Sequence, residues 1–202
     1  MEFLILGFFS GLSLILAIGA QNIFVIEQGL KRQYIFLVCL ICSISDLILI
    51  FLGIFLFHYF VQYFTPIIEL VLNILLIIFL LHFIYSKIKA FNVKIDFGDD
   101  QNIISKYSIA IKTLGFTYLN PHVYSDTVFI LGYFSKNLIL NEKILFGVGG
   151  SIASFLFFFI IGYLAKFFSQ YSQDKQVWKI INLFIIMFMS FLIFLVFLQI
   201  FN

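Results

Sequence analysis

Of the 202 residues, 63% are apolar, 20% aromatic and only 11% charged. A soluble domain of that size has no interior large enough to hide so much apolar side chain, so hydrocarbon replaces water as the main solvent. A net charge of +2, with no basic patch and no soluble domain, excludes nucleic acid as a partner.

A bilayer core about 30 Å thick asks for roughly 20 consecutive apolar residues per spanning helix. Six segments fit: Phe3 to Phe24, Tyr34 to Phe57, Pro66 to Tyr85, Ile109 to Tyr133, Ile144 to Leu164 and Val177 to Phe201. The expected fold class is an all-α integral membrane protein of about six transmembrane helices, one domain over residues 1–202. Short polar links leave no room for an extramembrane catalytic domain, so neither an enzyme nor a cofactor is expected. The link of residues 87–107, with Asp96, Gly98, Asp99 and Asp100, is the one stretch polar enough for a mobile loop.

The first segment is not expected to be a signal peptide, because no Lys or Arg precedes residue 31. Ten of the twelve basic residues lie on the odd-numbered links, at Lys31 and Arg32, between Lys87 and Lys112, and between Lys166 and Lys179; only Lys136 and Lys143 lie opposite. The positive-inside rule then puts those links in the cytoplasm and both termini outside it.

The first segment carries a break at Ile18-Gly19-Ala20-Gln21-Asn22. In the second, Asp46 sits near the centre, where an uncompensated aspartate costs about 2.5 to 3.5 kcal/mol. Helical spacing from it gives Cys39, Cys42, Ser43, Ile50 and Gly53, a small and weakly polar face that turns toward the bundle. Cys39 and Cys42 form a Cys-x-x-Cys, but within an apolar helix and without further cysteines they read as packing. In the fourth segment Pro121 removes a backbone donor and Asn120 can cap the half-helix that follows, freeing N–H groups for an anion. Asp126 lies one turn beyond His122 on the same face. The fifth segment repeats a small stripe, Gly147, Gly150, Ser151 and Ser154, also read as packing. His58 and His82, Glu27 and Glu69 fall near segment ends.

The halves resemble each other. Ser43-Ile44-Ser45-Asp46-Leu47 recurs as Ser151-Ile152-Ala153-Ser154-Phe155 at an offset of 108, and Asn73 recurs as Asn182 at 109. Three segments per half force a duplicated half upside down, so two inverted three-helix repeats are expected, residues 1–90 and 108–202, with Gly19 and Pro121 at matching helix breaks.

Such broken helices mark a substrate site. The candidate substrate-binding and proton-coupling residues are Asp46, Asp126, Asn120, His122, Gln21 and Asn22. A carboxyl in a dry site holds a proton that a docking cation displaces, which is the physics of an antiporter. Two alternatives use overlapping residues: a metal-cation exporter with Asp46, His122, Asp126 and Cys42 as ligands, and a membrane thiol or electron carrier using both cysteines. No resident metal site is expected.

The segments Ala17 to Arg32 (AIGAQNIFVIEQGLKR), Ser43 to Leu47, Leu119 to Thr127 (LNPHVYSDT), Ser151 to Phe155 and Ile180 to Leu183 resemble the lysine exporter superfamily, in particular its lysine and arginine exporter branch. The resemblance spans nearly the whole chain. It implies export of a basic amino acid across the bacterial cytoplasmic membrane, with a small cationic amino acid, protons, the lipid bilayer and, in a homo-oligomer, further copies of the chain as partners. It carries over to Asp46, Asp126, Asn120 and Pro121. It departs at Ala20, where the family usually has proline, and the departure predicts a weaker first helix break.

Overall fold

In a computed structural model of the chain, the described residues are 1–16, 19–63, 65–91, 105–170 and 175–201, and all their regular structure is helical. The helices are α1 (Glu2–Ile15), α2 (Ala20–Leu30), α3 (Ile35–Tyr63), α4 (Pro66–Phe91), α5 (Lys106–Tyr118), α6 (Pro121–Tyr124), a π-helical stretch (Ser125–Ile130), α7 (Leu131–Ser135), α8 (Leu140–Phe168) and α9 (Lys175–Phe201). Among these residues, four helices are long and apolar enough to cross a membrane, and a fifth span results if α1 and α2 count together.

The first segment is interrupted where the sequence placed a break: α1 stops at Ile15, and α2 starts at Ala20 and leaves at 82° to it. At 1.5 Å per residue the 14 residues of α1 reach only about 21 Å, short of the bilayer core. The break persists with alanine at position 20, so proline is not needed to hold it. The segment from Ile109 to Tyr133 is likewise divided, into α5, α6, the π-helical stretch and α7. The polar link is also shorter than expected, since α4 runs on to Phe91 and α5 starts at Lys106; Lys94, Asp96, Gly98, Asp99 and Asp100 lie outside the described residues, as does the side chain of His58.

Breaking a helix in hydrocarbon orphans backbone groups that must find partners inside the protein. Both breaks meet this need in the same way. Asn22 Nδ2 reaches back across the first to donate to the Ile15 carbonyl at 3.1 Å, and Tyr124 Oη reaches back across the second to the Tyr118 carbonyl at 2.8 Å. Ile15 and Tyr118 end their respective helices.

The centre of the bundle is α3 against α8, with α1 and α2 packed on α8, and α5, the π-helical stretch and α7 packed on α3. The expected face of α3 is buried along its length, from Cys39 and Cys42 through Ser43 and Asp46 to Ile50 and Gly53. Helices α4 and α9 pair on the flank and present apolar side chains outward, Ile78 and Phe184 among them. Without a hydrophobic drive between helices in lipid, close approach depends on small residues. A side chain at Gly29 would stand 2.5 Å from the Gly162 carbonyl oxygen, and one at Gly132 would stand 2.8 Å from the Gly53 carbonyl oxygen. Gly29 and Gly132 are offset by 103 residues, and Gly53 and Gly162 by 109.

The tightest crossing is α1 on α8, where a Cβ at Gly149 would collide with the Leu4 carbonyl and the Phe8 amide. Gly149→Val is therefore expected to cost about 3 kcal/mol or more. The check is size-exclusion of the detergent-extracted protein: the variant loses its monodisperse peak, and a wild-type profile and melting temperature would show that α1 can move away from α8.

Candidate functional site

The two helix breaks and the middle of α3 face one another across a cavity of about 390 Å³. That volume falls in the range of about 300 to 1,000 Å³ usual for small-molecule sites. Gly19, Gln21 and Asn22 at the start of α2, Asp46 of α3, and Asn120, His122 and Asp126 beyond the second break all line it. Every polar site residue expected from the sequence is thus brought to one place. Pro121 begins α6, but its side chain lies outside the described residues.

Asp46 is 3% exposed, and its Oδ2 accepts a hydrogen bond from Ser154 Oγ at 2.8 Å. This corrects the reading of Ser154 as packing alone: the serine 108 residues away is the aspartate's hydrogen-bond partner. Asp126 is half-buried on the π-helical stretch and lines the same cavity as Asp46. The extra residue in each π turn shifts the face that follows, and π-helical turns occur frequently at functional sites. No Lys or Arg is among the lining residues.

The two helix starts at the cavity differ. At the second break, the His122 amide donates to Asn120 Oδ1 at 3.1 Å and the Val123 amide to the Asn120 carbonyl at 3.1 Å. The donors expected to be freed there are therefore already engaged by the asparagine cap. At the first break, Gly19 provides no side-chain cap for α2, and Ala20, unlike proline, carries an N–H. Gln21 is 6% exposed, and its Nε2 has no hydrogen-bond partner among the described residues; the Cys42 thiol, a weak acceptor, is beside it.

Apart from Thr127 the rest of the lining is apolar, and α4 and α9 contribute Leu76, Leu80, Leu192, Leu195 and Val196 to it. Below the cavity, toward the lysine-bearing end of α2, α4 and α5, Phe116 stacks on Phe24 at 4.6 Å and meets Phe79 and Phe83 edge-on at 4.8 and 5.0 Å. Beneath these rings Glu27 is 1% exposed and ion-paired to Lys31, so it is not the surface residue expected of a segment end. The i, i+4 spacing to Lys31 was the available signal. Glu69 and His82 are exposed, as expected. Cys39 donates to the Phe158 carbonyl at 3.2 Å; both cysteines are buried and free. Among the described residues, no three His, Cys, Asp or Glu side chains converge to hold a metal ion.

A multi-pass helical membrane protein with a ligand-sized polar cavity between two broken helices is the class this arrangement defines. The chain belongs to the LysE type translocator family, whose profile matches residues 12–199. It is 33% identical over 176 residues to the arginine exporter protein ArgO of Klebsiella pneumoniae subsp. pneumoniae, covering 87% of this chain and 83% of that one. It is 31% identical over 180 residues to the arginine exporter protein ArgO of Salmonella paratyphi A, covering 89% and 85% respectively. No solved structure matches.

Removing the Ser154 hydroxyl leaves a buried carboxyl short of a partner, a loss of about 1 to 3 kcal/mol. Ser154→Ala is expected to lower the melting temperature of the purified protein, and an unchanged value would mean that Asp46 is satisfied without the serine.

Proposed function

We propose that this protein exports a basic amino acid, arginine or lysine, across the bacterial cytoplasmic membrane in exchange for protons. The observation that carries the reading is the cavity itself: two carboxyl groups, Asp46 and Asp126, line it with no Lys or Arg to balance them. A guanidinium or ammonium group supplies that balance. The apolar wall of Leu76, Leu80, Leu192 and Leu195 suits the aliphatic stem behind such a head. The names of the Klebsiella and Salmonella relatives support arginine as the substrate.

The substrate's α-carboxylate needs donors at the other end of the cavity. The uncapped start of α2, with the Ala20 amide and the Gln21 carboxamide, provides them better than the capped start of α6. Asn22 helps by holding the break open. Asn120 and His122 then shape the second break and complete the polar lining rather than bind the carboxylate directly.

Outward movement of one positive charge against the membrane potential costs about 2.3 kcal/mol per 100 mV. Inward movement of one proton cancels it, and a carboxyl that releases its proton to let the cation dock couples the two. The sequence has no phosphate-binding G-x-x-x-x-G-K-[ST] stretch through which ATP would drive transport.

The architecture we propose is two inverted three-helix repeats, α1 to α4 and α5 to α9, each with a broken first span. Matching backbone staples at the two breaks, the repeated glycine contacts and the Asp46–Ser154 hydrogen bond support it. The offset between halves grows from 101 at Gly19 and Asn120 to 103 at Gly29 and Gly132, and the π-helical stretch lies where the added residues must be absorbed. With the lysine-rich links in the cytoplasm, the phenylalanine layer is the cytoplasmic gate, closed in an outward-facing state.

Asp46→Asn and Asp126→Asn are each expected to abolish arginine efflux from preloaded vesicles while the protein still reaches the membrane. Wild-type efflux by either variant would make that aspartate structural and end the proposed coupling. Phe116→Ala, which thins the gate without touching the carboxyls, is expected to raise passive arginine leak and to lower pH-driven accumulation. An unchanged leak would place the gate elsewhere.

A further inference from the structure

The motif that begins with Gln21 and Asn22 in the cavity ends with Arg32, which lies nowhere near it. Arg32 instead lines a separate recess of about 370 Å³, where the turn between α2 and α3 meets the start of α5 and the end of α8. We propose that this recess binds the phosphate of an anionic phospholipid headgroup.

Its lining brings together three basic side chains from three different elements, Arg32, Lys106 of α5 and Lys166 of α8, together with Tyr34 and Tyr163, and it includes no acidic residue. Three like charges converging on one recess repel unless an anion lies between them. The recess also carries the donors that a phosphate oxygen needs: a guanidinium, two ammonium groups and two phenolic hydroxyls. Basic pockets between spanning helices at the headgroup level are the form in which anionic lipids are recognised.

The local structure is built to hold these groups in place. Arg32 and Tyr34 both adopt positive φ, 56° and 47°, a conformation that residues with side chains rarely take up. That double turn puts the arginine and the tyrosine on the same lip. Arg32 Nε donates to Ser169 Oγ at 2.5 Å, and Ser169 Oγ donates in turn to the Lys166 carbonyl, so the plane of the guanidinium is fixed against the end of α8. Lys166 Nζ lies 5.6 Å from the Tyr163 ring centre, within cation–π range.

The surroundings distinguish a lipid from a soluble ion. Phe36, which lines the recess, is 59% exposed, and Phe167 beside Lys166 is 67% exposed. Both rings are left uncovered beside the recess, where an acyl chain would follow its headgroup, and tyrosines at the recess fit the interfacial belt.

The test uses the full chain in neutral detergent, with phosphatidylglycerol, phosphatidylcholine or inorganic phosphate added, and reads the melting temperature and the lipid retained in native mass spectrometry. Phosphatidylglycerol is expected to raise the melting temperature and to remain bound, while phosphatidylcholine does neither. Each neutralised residue should weaken apparent affinity about fivefold, and the triple change Arg32→Gln, Lys106→Gln and Lys166→Gln on the order of a hundredfold. Because the Arg32 turn is strained and its loss can unfold the chain, Lys106→Gln alone is measured as well. Lys136→Gln with Lys143→Gln, at the opposite end of the bundle, should keep the wild-type lipid response. Equal stabilisation by inorganic phosphate would keep the site but assign it to a soluble anion. A phosphatidylglycerol response that survives the triple and single changes, or that is lost equally at Lys136 and Lys143, overturns the proposal.

Discussion

The Asp46 carboxyl in the middle of the bundle is the constraint on which the rest of the structure depends. A carboxyl group there is tolerated only beside polar partners or water, and the nearest partner in the structure is the hydroxyl of Ser154 on α8. For oxygen atoms on two helices to stand 2.8 Å apart, the helices must cross closely at that level. Small residues make the approach possible: Ser43 on α3, Gly150 and Ser151 on α8 are all buried at the crossing. The α3–α8 crossing in turn sets where the broken helices pack, one on each partner, and so where the cavity opens.

A second constraint operates at the breaks. An interrupted helix inside a membrane is stable only when its exposed backbone groups are met from within. Asn22 and Tyr124 do this by the same geometry with different chemistry, a carboxamide in one case and a phenol in the other, each reaching back to the last carbonyl of the preceding helix. The phenylalanines around Phe116 then fill the space on one side of the breaks with rings that need no partner. On the cavity side of that layer the polar groups gather where the breaks and Asp46 meet.

Much of this was legible in the sequence because the residues involved are costly in hydrocarbon. Asp46, Asp126, Gln21, Asn22, Asn120 and His122 stand out in apolar segments, and a shared cavity is the cheapest way to accommodate them together. The breaks at Gly19 and Pro121 were legible, but the 82° turn of α2 away from α1 was not, because hydropathy scores how apolar a stretch is and not its direction. Glu27 was missed for a related reason: it precedes a basic pair, and position along the chain suggested a surface that the fold covers with α5 and α8. The apolar wall from α4 and α9 could not be singled out either, since Leu76 or Leu192 differs in no way from the leucines that face lipid.

Ser154 shows how far a repeat can carry such a reading. By composition it belongs to a stripe of small residues, and packing is a sufficient explanation for most of that stripe. Its place as the counterpart of Asp46 in the proposed repeat contains more information. Two positions related by a two-fold axis touch each other only when both lie near that axis, so the 2.8 Å contact between residues 108 apart puts both near any axis relating the halves. In the proposed two-fold arrangement the halves cannot carry the same residue freely at such a place: two aspartates would repel, and two serines would leave the proposed cation without a charge to meet it. One aspartate and one serine form a donor and acceptor pair, so in the proposed repeat this difference between the halves falls at a contact where identity would be costly.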